Sequence, residues 1–189
     1  MKKFELVTEL SKEVFGKTLF RIRALISFGD VSAGDIGGWV EWESNLDQGG
    51  NAWVYGDARV SGNARVYGDA RVYGDAQVYG DARVSGNARV SGNARVCGDA
   101  RVYGDAQVYG DAQVYGDAHW ITIGPIGSEN GYLTAFRQRD NSILVRRGCF
   151  SGTIDEFEQA VNERHGDGTH GDIYRALIPV IKMRLVDVE

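Results

Sequence analysis

Cys149 and His165 are the residues whose types most directly suggest chemistry, as a thiol nucleophile and its base. Glycines flank Cys149 and would let a ligand approach the backbone closely. The plainer reading is a buried structural thiol, because free cysteine is commonly a core residue. The run His165-Gly-Asp-Gly-Thr-His170-Gly-Asp172 gathers two histidines and two aspartates in eight residues. Its spacing matches no standard zinc motif, and a polar loop joining two helices is the preferred reading. Arg137, Arg139, Arg146 and Arg147 fall on one predicted hairpin and could hold a phosphate or nucleotide, with Ser128 and Thr134 adding hydroxyl contacts. A solvated edge strand is the alternative. Arg65, Arg83 and Arg101 are a third group, spaced 18 residues apart, and His119 follows at the same interval. No metal site and no cofactor is expected.

The element that positions the third group is a six-residue repeat. Ala-x-Val begins at Ala52-Trp53-Val54 and recurs every six residues to Ala112-Gln113-Val114, eleven times without a slip; Ala118-His119-Trp120 is a degraded twelfth copy. Ala and Val are two apart, so on a strand they share a face. Gly-Asp or Gly-Asn follows and turns the chain. A strand this short buries its Val only if coils stack, which predicts a solenoid.

This unit resembles the hexapeptide-repeat proteins, over about residues 37–121. That resemblance implies triangular coils of three units forming a left-handed parallel β-helix. Gly38-Trp39-Val40 and Ser44-Asn45-Leu46 already fit the inward-outward-inward template. The step from Leu46 to Val54 is eight residues rather than six, a two-residue insertion within Asp47-Gln48-Gly49-Gly50. Fourteen units from Val40 to Trp120 make four and two-thirds coils, a prism about 20 Å tall. The entry Ala33-Gly34-x-x-Gly37-Gly38-Trp39-Val40 is similar to that of bacterial hexapeptide-repeat proteins classed as transferases on fold alone.

Taking every third unit gives three outward columns: Trp53, Arg71, Arg89, Gln107; Arg59, Gln77, Arg95, Gln113; and Arg65, Arg83, Arg101, His119. The last is a ladder of cations about 5 Å apart. It is either a strip for an anionic ligand or a solvated row whose arginines lean toward corner aspartates, and the second is preferred. Tyrosine units end in Gly-Asp and serine units in Gly-Asn; this coupling is read as copying of whole units, with Ser85, Ser91 and Cys97 making one tyrosine-free coil.

The ends differ. Residues 3–10 and 18–28 read as a hairpin about Val14-Phe15-Gly16-Lys17 that would cover the open end of the coils. After Trp120 come two or three strands with a hairpin about Asp140-Asn141. A helix opened by the Thr153/Glu156 capping box follows, with Ile154, Phe157, Ala160 and Val161 on its apolar face. A last helix, about Asp172 to Val186, carries Ile173, Leu177 and Ile181, with a kink expected at Pro179. The expected fold is mainly β: a cap (1–36), a left-handed parallel β-helix (37–121) and a small α+β module (122–189). Gly-Pro-Ile-Gly-Ser at 124–128, Gly-Cys-Phe-x-Gly-Thr-x-x-Glu-Phe at 148–157 and His165-Gly166 resemble a segment of phage and prophage proteins that follows different kinds of repeat. The resemblance implies no assigned activity for it.

Composition excludes several classes. Net charge is −5 and evenly spread: residues 1–50 carry 6 basic and 8 acidic groups, 51–118 carry 7 and 8, and 119–189 carry 8 and 10. This argues against bulk nucleic-acid binding. No apolar run suggests a signal peptide or a membrane span, so a cytoplasmic setting is expected, that of the host if the protein is phage-borne. Near-identical units offer the same residues everywhere, whereas a catalytic site needs unlike residues in one place. The leading expectation is a non-enzymatic binding or scaffolding protein, trimeric as the resemblance implies. It would present its C-terminal modules to a partner protein or a small anionic ligand, with counter-defence one such role. The alternatives are a hexapeptide acyltransferase using His119 and a thiol enzyme using Cys149. The long loop excursion of the acyltransferases is lacking here.

Overall fold

An Ala-x-Val strand buries its two apolar side chains only when another strand lies directly over it, and the backbone supplies one 18 residues on, as Val60 of one coil and Val78 of the next illustrate. The computed structural model describes residues 1–110, 112–116, 119–138 and 140–185. It divides into two compact units, Met1–Asp111 and Ala112–Glu189.

In the first unit the repeat forms three parallel ladders. One holds β4 (Trp53–Val54), β7 (Arg71–Val72), β10 (Arg89–Val90) and β13 (Gln107–Val108). The second holds β3 (Ile36–Val40), β5 (Arg59–Val60), β8 (Gln77–Val78) and β11 (Arg95–Val96). The third holds β6 (Arg65–Val66), β9 (Arg83–Val84) and β12 (Arg101–Val102), with Leu46 bridging Val66 at its start. Like residues stand over like in every ladder, such as Val54, Val72, Val90 and Val108. Every repeat Ala and Val from Ala52 to Val108 is 0 % exposed. Each buried Val contributes on the order of 1.5–3 kcal/mol. The corners join the ladder too: Asp69 N–H donates to Gly86 O and Asp75 N–H to Gly92 O, both at 2.9 Å.

Stacked corners bring like charges together, and asparagine relieves this. The side-chain amides of Asn51, Asn63 and Asn87 donate to Asp69, Asp81 and Asp105 of the following coil, at 2.7, 2.9 and 3.1 Å. Corner asparagine therefore has a physical role that unit copying does not supply. Nothing in the contacts explains why serine accompanies it. Two outward positions are not outward in environment. Trp53 is 1 % exposed, with the rings of Phe4 and Phe28 edge-on to it at 6.2 and 5.4 Å. Cys97 is 3 % exposed; burial raises its thiol pKa, opposed by a hydrogen bond with the Tyr79 hydroxyl.

The N-terminal hairpin is β1 (Phe4–Val14) and β2 (Lys17–Ala24), longer at its tip and shorter at its end than the alternation suggests. It covers the coils by joining the second ladder: β2 runs antiparallel to β3, with Phe20 opposite Val40 and Arg21 opposite Trp39. The ammonium of Lys12 lies 3.9 Å from the Trp39 ring centroid and the guanidinium of Arg21 4.2 Å. Asp57 accepts from both Arg21 (2.9 Å) and the Trp39 indole (3.3 Å). Asp30, in the segment after the hairpin, reaches Tyr55 and Arg71 on the first ladder.

The second unit begins with one more repeat strand, β14 (Gln113–Val114), and β15 (Trp120–Ile126), β16 (Gly131–Arg137), β17 (Ile143–Arg147) and β18 (Phe150–Thr153) form an antiparallel meander. The fourth strand exists because Gly148-Cys149 is a tight turn rather than a linker. Helix α1 (Ile154–His165) opens on the expected capping box: Glu156 N–H donates to the Thr153 hydroxyl and Thr153 N–H to the Glu156 carboxylate. Helix α2 (Thr169–Arg184) begins before Asp172 and continues through Pro179. Its buried side is Tyr174, Ile178 and Ile181, while Ile173 is 40 % exposed. Position 186, where this helix was expected to end, lies outside the described residues, as does Arg139.

Two substitutions test the stacking. Gly86 has φ +65 and an added Cβ would stand 2.8 Å from Gly104 N, whereas at Gly104, with φ +66, nothing lies within 4 Å. Both replacements by Ala meet the left-handed backbone penalty, but Gly86→Ala should cost roughly 1 kcal/mol or more beyond Gly104→Ala in urea denaturation. Asn87→Asp places a third carboxylate between Asp69 and Asp105. Its urea midpoint at pH 7 should fall at low ionic strength and recover in high salt.

Candidate functional site

Three turns of the second unit meet around a hollow of about 160 Å³. The turn after β15 brings Ser128 and Glu129, the turn after β17 brings Cys149, and the end of α1 brings Arg164 and His165. Arg147 and Tyr174 complete the floor with Phe150 and Phe157. Cys149 is exposed, which corrects the expectation of a core thiol. Cys149 and His165 share this hollow, and no hydrogen bond joins them. The His165 ring lies 5.6 Å from Tyr174 and 6.1 Å from His170. Among the described residues no group of three or more His, Cys, Asp or Glu is assembled to hold a metal.

Arg147 is held from two sides. Its Nε donates to the Tyr174 hydroxyl at 3.0 Å and its Nη2 to Ile126 O at 2.8 Å. Gly127 makes this possible, since a Cβ there would stand 2.2 Å from the Tyr174 hydroxyl. The signal for this contact was present in the sequence: a tyrosine in an apolar helix stripe needs a partner for its hydroxyl. Two arginines, Arg147 and Arg164, and one carboxylate, Glu129, thus line the same hollow as the exposed Cys149 thiol.

Ser128 also lines the hollow, and the other predicted ligand residues do not gather there. Arg137 is 7 % exposed, donates to Asn141 O, and lines a separate hollow of about 370 Å³ with Asp155 and Lys182. Thr134 is buried, 3.1 Å from the Thr122 hydroxyl, and pairs across the strands with Arg146 on the same face of the sheet. His119 accepts from Tyr115 N–H at Nδ1, at 3.3 Å.

In the first unit, Arg65, Arg83 and Arg101 stack in register and all are exposed. Among the described residues, neither Arg65 nor Arg83 pairs with a carboxylate, so these two do not lean on corner aspartates. The coil before Arg65 carries the two-residue insertion: Leu46 pairs with Val66 across 20 residues, whereas Trp53 pairs with Arg71 across 18. The bulged corner overhangs the ladder and forms a groove of about 550 Å³ lined by Glu43, Ser44, Asp47, Gln48, Arg65, Tyr67 and Arg83.

Lys3 fixes that corner from inside. It is 2 % exposed, and its Nζ donates to the carbonyls of Gly49, Gly50 and Ala52 at 3.0, 3.4 and 3.0 Å. Gln48 is pinned as well, accepting from Lys3 N–H (2.7 Å) and donating to Glu43 (2.8 Å). Burial pushes the Lys3 ammonium down to about 8, against the attraction of Asp47 and Asp69.

Residues 52–110 match the YdcK beta solenoid repeat, in six overlapping segments from 52–66 to 94–110. The repeat tract is a β-solenoid. No curated protein matches the chain. No helix among the described residues is long and apolar enough to cross a membrane.

The buried lysine makes the solenoid's stability depend on pH. Between about 8 and 10.5 the folded chain has lost the Lys3 proton while the unfolded chain keeps it. Stability should therefore rise with pH across that window. Lys3→Met should lack this rise and, with three carbonyls left without a donor, should be less stable at pH 8 by about 1–3 kcal/mol. Urea midpoints of both proteins at the two ends of the window check this.

Proposed function

We propose that this β-solenoid repeat protein is a non-enzymatic binding and scaffolding protein of phage or prophage type, acting in the host cytoplasm. The solenoid self-associates as a trimer through its outward tyrosines and arginines. The C-terminal module grips a small anion or an acidic side chain of a partner protein. The observation that carries this reading is the hollow lined by two arginines, Arg147 and Arg164, against the single carboxylate of Glu129. A volume of about 160 Å³ is below that of drug-sized ligand sites, roughly 300–1,000 Å³, so the occupant is small. Exposed Tyr67, Tyr73 and Tyr103 support self-association, since aromatic side chains are enriched at protein interfaces.

A second reading, thiol chemistry by Cys149 with His165 as base, has one observation in its favour: both line that same hollow. It requires the thiol to react with iodoacetamide faster at Cys149 than in a His165→Gln variant.

Two measurements test the leading reading. The mass in solution should be three times 20.7 kDa, and a strict monomer would sink the displayed trimer. Ligand-observed NMR of the full chain with acetate, succinate and inorganic phosphate should show saturable binding that Arg164→Gln weakens at least fivefold. Binding indifferent to Arg164 would overturn the pocket assignment.

A further inference from the structure

The groove under the bulged corner has features that the rest of the solenoid lacks. Arg65 and Arg83 stand directly over one another on adjacent strands, at about 4.8 Å, and neither meets a carboxylate among the described residues. Across the groove stand Ser44 and Asp47, both exposed, and Tyr67 is 39 % exposed at its side. Gln48 and Glu43 are already engaged, with each other and with Lys3 and Lys2. They form wall rather than contact.

We propose that this groove binds a phosphate monoester of a hydroxylated molecule, the class that includes sugar phosphates and mononucleotides. Two stacked guanidinium groups bring two positive charges and several donors to one place, which suits a dianion better than a monoanionic carboxylate. A phosphate monoester has three terminal oxygens and takes donors from both. Asp47 and Ser44 suit the hydroxyl groups of the attached moiety, the carboxylate as acceptor and the serine as donor or acceptor. The Tyr67 ring offers a face for a sugar or base. Asp47 repels the further phosphates of an extended polyanion, which favours a single phosphate over a nucleic-acid strand. The volume, about 550 Å³, lies within the range of roughly 300–1,000 Å³ for small-molecule sites. The wall is rigid because Lys3 holds three carbonyls of the corner from inside.

The repeat supplies its own controls. Glutamine occupies the Arg65-type position at residues 77 and 107, so Arg65→Gln and Arg83→Gln keep the fold. Arg89 sits in the same Asn-Ala-Arg-Val context as Arg65 but does not line the groove. Calorimetric titration of the full chain with ribose 5-phosphate should show saturable one-to-one binding. The Arg65→Gln/Arg83→Gln double variant should weaken it at least tenfold, and Arg89→Gln should leave it within twofold. Asp47→Ala should weaken ribose 5-phosphate at least threefold while leaving inorganic phosphate within twofold. Absence of saturable binding, retention of binding in the double variant, or equal loss in Arg89→Gln would overturn the site. Indifference of ribose 5-phosphate to Asp47→Ala would overturn the hydroxylated class of ligand.

Discussion

The backbone ladder between coils is the constraint from which the rest of the solenoid follows. Arg59 N–H donates to Ala76 O, Ser61 N–H to Val78 O, and the same pattern repeats along all three ladders and at the corners. A ladder of this kind allows almost no lateral slip, because a one-residue shift would turn every Val outward. Sequence repetition then becomes vertical repetition: whatever stands at one position also stands about 4.8 Å above and below it. For Ala and Val this is favourable. For charged residues it is not, since like charges directly opposite destabilise a sheet. The corner asparagines, the Arg21–Asp57 pair and the Arg71–Asp30 pair are local answers to that conflict.

The constraint also sets where irregularity is tolerated. An extra residue inside the stack would throw two neighbouring coils out of register. In the first coil only one neighbour is affected, and the insertion sits there, at residues 47–50. Its exposed carbonyls need donors that the ladder does not give, and Lys3 provides them from the hairpin side. The same hairpin removes the open edge of the second ladder by pairing β2 with β3, and its following loop covers Trp53 on the first. End cap, insertion and buried lysine are therefore one structural device.

Much of this was legible in the sequence because the repeat period encodes pairing directly. Over residues 53–107 the three columns drawn by taking every third unit are the three ladders, and the eight-residue step from Leu46 to Val54 is the bulged corner. What the period hides are contacts made by residues outside it. Nothing in the repeat says that Phe4 and Phe28 will bury Trp53, or that Tyr79 will reach the thiol of Cys97. The second unit was harder because its signals are local and ambiguous. In α2, Ile173-Leu177-Ile181 and Tyr174-Ile178-Ile181 are both helical stripes. The second is the buried one, and it places the tyrosine hydroxyl on Arg147. Gly148-Cys149 gives no strand pairing in the sequence, and the turn shows only where β17 and β18 pair across it. The hollow around Cys149 joins three turns with no common spacing, so no linear pattern could announce it.

A repeat built this way separates stability from recognition. Arg65, Arg83, Arg89 and Arg95 each lie between an inward Ala and an inward Val, so their immediate neighbours do not distinguish them. A ligand that met only the units would bind every face alike and weakly. Distinction arises where the symmetry is broken by residues the repeat does not contain. Asp47 and Ser44 make Arg65 and Arg83 unlike Arg89, although the three arginines are chemically identical. In the second unit the unlike residues are already dense, with a thiol, two histidines, two arginines and a carboxylate within one small unit. Specificity in this protein is thus expected at departures from the period, and the period itself supplies the rigid surface against which each departure is held in place.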